Sequence, residues 1–196
     1  MFAPLHFLTF LSNHVIIIVI MEKIFYTDKR AFSSSDETVE YLLRSFFDMS
    51  NVHLSRTENG KPYLIGNGLH FSVAHTNNYI FVVFSSENVG LDVELSNRDV
   101  NYLPIVKKFS NVEQAELSSR EEFIRHWLSK EAAVKWLGGT LAHDLYKLDY
   151  VGGKLFYKQL PLPVYITELT LADYRLCICS EKEIENVEII PFTKSF

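Results

Sequence analysis

Gly60-Lys61-Pro62-Tyr63-Leu64 and Gly152-Gly153-Lys154-Leu155-Phe156-Tyr157 follow one plan: a glycine turn, a lysine, then a short extended piece. Each is preceded by a helical pattern. Asp36 to Met49 places Val39, Leu42, Leu43 and Phe46 on one side of a helix, with Ser35 or Asp36 as its N-cap. Glu121 to Leu137 makes a longer helix that stops at Gly138-Gly139. Each turn is also followed by strands. Leu69 to Ala74 and Tyr79 to Ser85 flank Thr76-Asn77-Asn78, whose asparagines tolerate left-handed turns, and Val89 to Leu95 is a third strand. In the second half, Val164 to Thr170 and Tyr174 to Ser180 are joined across Ala172-Asp173. The expected fold is therefore α+β. Two similar halves, each a helix plus antiparallel strands, pack as a pseudo-dimer over residues 21–100 and 101–196, and a ligand cleft is expected between them.

Composition sets the outer limits. The chain has 196 residues, 47% hydrophobic and 22% charged, and so can bury a core without a disulfide or metal staple. Its formal net charge of −5 argues against nucleic-acid binding, which needs a basic surface. The two cysteines, Cys177 and Cys179, alternate with apolar residues as strand positions do. That spacing disfavours a mutual disulfide and fits a reducing, cytoplasmic location.

Residues 1–20 carry no charge and include the β-branched run Val15 to Ile20. They lack the basic start and small-residue cleavage site of a signal peptide. His6, Ser12, Asn13 and His14 interrupt a membrane span. A buried strand, a membrane anchor and a natural start at Met21 all remain open, and no function is assigned to these residues.

Three local patterns can carry chemistry. In Gly90-Leu91-Asp92-Val93-Glu94, strand alternation puts Asp92 and Glu94 on one face and Leu91 and Val93 in the core. Read alone, that face is either solvated or a hard-oxygen cation site of the kind Mg²⁺ occupies. In Trp127 to Trp136, the positions of Trp127, Glu131 and Lys135 share one helix stripe, while Ile124, Leu128 and Ala132 form the apolar stripe beside it. Glu131 and Lys135 form either a helix ion pair, worth about 0.2–0.5 kcal/mol, or part of the same ligand site. In Phe71-Ser72-Val73-Ala74-His75-Thr76, His75 ends a strand where it can reach a ligand. Lys61, in its turn, is either a phosphate contact or a solvated residue.

Together and in this order, Gly60-Lys61-Pro62, the strand end at His75, Gly90 to Glu94, and Trp127 to Lys135 with its Lys130-Glu131-Ala132 centre resemble the 4′-phosphopantetheinyl transferase superfamily. The resemblance runs from roughly residue 58 to residue 180, and the apparent duplication resembles the fused members of that family. It implies Mg²⁺-dependent transfer of phosphopantetheine from coenzyme A to a serine of an apo carrier protein, with release of adenosine 3′,5′-bisphosphate. By that resemblance Asp92, Glu94 and Glu131 are metal ligands, and Lys135 contacts phosphate and assists the leaving group. Lys61 and His75 contact the phosphate on the ribose, and Glu113 helps to activate the serine hydroxyl. A monomer with no nucleic-acid or membrane partner is implied, and a non-catalytic relative that binds coenzyme A or the carrier is the alternative. One departure stands out. The family often has serine before the histidine where this chain has Ala74, so coenzyme A is expected to bind more weakly by about 0.5–1.5 kcal/mol. The pair Lys107-Lys108 is either a basic spot for an acidic carrier or a solvated surface pair.

Overall fold

The computed structural model describes residues 22–66, 68–99 and 101–194. Residues 1–20, with their three readings, lie outside the described residues. The first strand, β1 (Glu22–Asp28), leads into α1 (Ser35–Phe46), the hairpin β2 (Leu54–Arg56) and β3 (Pro62–Leu64), then β4 (His70–His75) and β5 (Tyr79–Ser85). The chain continues through β6 (Val89–Leu95), two single-turn helices α2 (Leu103–Val106) and α3 (Asn111–Gln114), and the long α4 (Arg120–Leu137). After α5 (Leu141–Asp144) come β7 (Leu148–Val151), β8 (Lys154–Tyr157) and β9 (Leu160–Pro161). They are followed by β10 (Tyr165–Leu171), β11 (Tyr174–Ser180) and β12 (Val187–Pro191).

The two main sheets have the orders β12-β1-β5-β4 and β10-β11-β6. Without β12 they repeat one plan. In each, the opening strand of the repeat pairs antiparallel with its last strand, which pairs antiparallel with the one before it: β1-β5-β4, then β6-β11-β10. A helix and a hairpin intervene each time, α1 with β2–β3 and α4 with β7–β8. The sequence echo of the two glycine-lysine turns thus falls at matching places. Strand pairing divides the chain between β5 and β6. The sequence reading groups β6 with residues 21–100; its ladder hydrogen bonds lie with β11, while the Leu91 amide also bonds the Ser72 hydroxyl of β4. A local pattern shows that a strand exists and not which strand it will pair with, so this difference was invisible in the sequence.

Strand alternation builds three cores. Phe25, Val82 and Phe84 face Val39, Leu42 and Leu43 of α1. Ile24, Phe81 and Val83 look the other way, onto Val89, Leu91, Val93, Leu176 and Ile178 of the second sheet. Cys177 and Cys179 face Ile124, Leu128 and Ala132 of α4. The order of layers is helix, sheet, sheet, helix. Both cysteines are free and buried, and burial pushes the Cys179 thiol up to about 12, so neither is a reactive thiolate.

The helix ends follow local chemistry. The Ser34 hydroxyl caps α1 by accepting from the Glu37 amide at 3.1 Å, one residue before the earliest cap expected. The helix closes at Phe46 rather than Met49 because Asp48 takes φ 54° and the Met49 amide turns back to the Leu43 carbonyl at 3.1 Å. A reciprocal Ser119–Glu122 capping box opens α4, and Gly138 at φ 65° ends it, as its glycine pair foretold. No helix among the described residues is long and apolar enough to cross a membrane.

Candidate active site

The site begins with a missing side chain. A Cβ on Gly90 would lie 2.0 Å from the Ala132 carbonyl oxygen and 2.6 Å from the Trp136 nitrogen. Only glycine lets α4 lie this close on β6. Two residues along the same face, Asp92 then meets α4 and is largely buried. The Lys135 ammonium donates to Asp92 Oδ1 at 2.8 Å and to the Leu91 carbonyl at 2.8 Å. Glu131, one helical turn earlier, shares a hydrogen bond with Asp92. Its carboxyl is held well above the usual carboxylate range, first by burial and then by the negative charge of Asp92. Two interacting carboxyls, with an ammonium on one of them, therefore sit at the junction of α4 and β6. Of the two readings of Glu131 and Lys135, the ion pair along the helix is replaced by a Lys135–Asp92 pair across it.

Glu94 lies further along the same face of β6, near enough for its charge to act on Glu131. Its carboxylate is turned to the Arg98 guanidinium and to the Leu95 amide, at 3.0 Å from the latter. Among the described residues, no three histidine, cysteine or acidic side chains converge as a ready metal site. The donor chemistry nevertheless fits a hard divalent ion. Asp92 and Glu131 are oxygen donors close enough for their charges to interact, and a divalent cation relieves the repulsion between them.

His75 ends β4 and points toward the start of α1, where its Nε2 pairs with the Ser35 hydroxyl at 2.8 Å. Its pKa is lowered by partial burial and by the charges of Lys135 and Lys29, which favours the neutral ring at pH 7. The influence of Lys135 and Asp92 on His75 puts it within electrostatic reach of the carboxyl pair. Beside Lys135 opens a cleft of about 210 Å³, lined by Lys61, Ser72, Val73, Lys135 and Gly138 among others. Its walls come from both repeats.

Lys61 stands at the cleft wall, but its ammonium turns inward. It donates to Asn88 Oδ1 at 2.7 Å, the Val89 carbonyl at 3.3 Å and the Trp136 carbonyl at 3.4 Å, and burial lowers its pKa to about 8. Glu113 is placed elsewhere. It is fully buried, accepts from Lys130 Nζ at 2.7 Å and contacts His126 Nδ1 at 3.2 Å and the Tyr150 amide at 3.4 Å. An enclosed carboxylate in the α4–β7 core has no access to a serine hydroxyl, so the structure does not bring Glu113 to the carboxyl pair. Ala74 is also fully buried, among Ile24, Phe81, Leu91 and Val93 between the sheets. On the same face, the Ser72 hydroxyl accepts from the Leu91 amide at 3.0 Å and ties β4 to β6. Sequence reasoning missed Ser35 as a partner of His75, and Asn59 and Asn88 as neighbours of Lys61. Only the turn propensity of the asparagines was legible.

No protein-family model matches the chain. Over 106 residues it is 28% identical to the 4′-phosphopantetheinyl transferase Sfp of Bacillus subtilis (strain 168), a match covering 50% of this chain and 46% of that protein. The aligned region thus spans about half the length of the curated relative. At this distance the likeness supports the superfamily and points to a transferase.

Proposed function

We propose that the protein transfers 4′-phosphopantetheine from coenzyme A to a serine hydroxyl of an apo carrier protein, releasing adenosine 3′,5′-bisphosphate. The observation that carries this reading is the Lys135 ammonium on Asp92, with Glu131 beside them, at the junction of β6 and α4, where Lys135 also borders a cleft walled by both repeats. Asp92 and Glu131 would hold Mg²⁺, with Glu94 as the third ligand of the sequence pattern, and the ion when bound would neutralise charge on the pyrophosphate. The chain's own groups do the rest. Lys135 supplies a fixed positive charge for the leaving phosphate, and His75 lies where a phosphate on the ribose can meet it. The serine oxygen forms the new bond to the β-phosphorus as the bond to the leaving phosphate breaks. The hydroxyl proton passes to a carboxylate of the pair. Because one chain carries both walls, the reading fits a monomer, and its buried free cysteines fit a reducing cytoplasm.

The test weighs an apo carrier after incubation with the protein, Mg²⁺ and coenzyme A. The reading requires the mass of one phosphopantetheine to appear on the carrier, with no gain when Mg²⁺ is chelated. Glu131→Gln should lower the rate by about 10²–10³-fold, the cost of losing one oriented electrostatic group, while the protein stays folded. The Glu94–Arg98 pairing favours a second reading, a binder without turnover. Such a protein would retain coenzyme A and leave the carrier's mass unchanged.

A further inference from the structure

We propose that Lys61 is a positioning residue: with Asn59 and Asn88 it clamps the end of α4 to the first repeat, fixing the helix that carries Glu131 and Lys135. The kinetic part of this inference rests on the proposed transfer reaction. The last carbonyls of a helix have no partner within it and carry concentrated partial negative charge. Here three side chains of the first repeat and of the link into β6 serve them. Asn88 Nδ2 donates to the Trp136 carbonyl at 2.8 Å, and Asn59 Nδ2 to the Gly138 carbonyl at 3.0 Å. The Lys61 ammonium adds a full positive charge at the Trp136 carbonyl while also holding Asn88 and the Val89 carbonyl at the start of β6.

An ammonium has three N–H donors and no acceptor. All three donors of Lys61 face oxygen atoms of the protein, which leaves none for a phosphate. The stem of the side chain is held as well, since a Cβ on Gly138 would lie 3.6 Å from Lys61 Cδ. The clamped carbonyl belongs to the residue after Lys135, so a small slide of the last turn moves the Lys135–Asp92–Glu131 contact directly. Displacements of this kind cost rate rather than affinity.

The experiment compares Lys61→Met with the unsubstituted protein on coenzyme A and on dephospho-coenzyme A, which lacks the ribose phosphate. It also follows amide hydrogen exchange at Gly138 and Gly139, whose amides close back on Lys135 and Val134. We expect kcat to fall about tenfold on both substrates alike, KM to move less than about twofold, and exchange at the two glycines to quicken about tenfold, as for loss of one charge-assisted hydrogen bond. Exchange in α1 should not change. Asn59→Ala removes a single exposed hydrogen bond and carries the same readouts in milder form if Lys61→Met does not fold. A loss confined to coenzyme A would make Lys61 a phosphate ligand and overturn the proposal, as would unchanged exchange at Gly138 and Gly139. If the unsubstituted protein transfers nothing, the transferase reading fails, and the exchange measurement alone still decides the clamp.

Discussion

At the scale of residues, the carboxyl at position 131 is set by its neighbours rather than by its own exposure. Burial and the charge of Asp92 raise its pKa, and Lys135 balances the pair by holding Asp92. Periodicity made legible which face each residue occupies, while their approach was implied only by the family resemblance, because nothing local says that α4 lies on β6. The orientation of Lys61 and the partners of Glu113 were not legible. A lysine in a turn and a glutamate in a short helix look solvated until distant segments close over them. Ala74 is a similar case. The expectation that it weakens coenzyme A binding assumes a side chain facing the ligand, and the structure packs it between sheets. Ala74→Ser should therefore leave coenzyme A affinity within about twofold, as for a group that never touches the ligand. It should destabilise the fold by about 1–3 kcal/mol if the hydroxyl finds no partner. Calorimetric binding beside denaturant unfolding checks both halves, and a clear gain in affinity would restore the sequence expectation.

At the scale of elements, the seating of α4 on β6 matters most. Gly90 is not in the left-handed region, so its requirement is one of space: the nearest atoms are helix backbone and cannot swing aside. Gly90→Ala should force α4 off the strand at a cost of about 1–3 kcal/mol, the usual penalty of overpacking. Activity should fall further than stability, because the helix bears Glu131 and Lys135. The check is an unfolding curve together with the carrier mass assay on protein that is still folded. The end of the long helix at its glycine stop and the strands β5, β6 and β11 were readable to the residue, and the helix start to within one, because periodicity and caps are local. The pairing of β6 with β11 and of β12 with β1 was not, because sheet partners are chosen by burial across the whole chain.

At the scale of the molecule, the two ends of the described chain meet. β12 adds in parallel to β1, Phe192 enters the α1 core, and Lys194 Nζ donates to Glu37 Oε1 at 2.6 Å. Hydrogen bonds from Lys194 and Ser33 hold the Glu37 carboxyl down at about 2, against an ordinary value of 4.5. A lowered carboxyl adds stability that is fully present above pH 4.5 and is lost as pH falls from there toward 2. Thermal melts of the unsubstituted protein and of Glu37→Gln should therefore differ at pH 6 and converge toward pH 2. A constant gap across that range would mean that Glu37 acts by packing alone.

The strand added last also limits how many sites the chain can make. The outer edge of β6 faces β4, and the cleft is lined by β4 and by the end of α4, which lies on β6. The corresponding edge of β1 is occupied by β12. A molecule built from two like units could have opened two pockets back to back. Here the tail takes one of the two matching edges, so the two units meet the rest of the chain differently although their strand orders repeat.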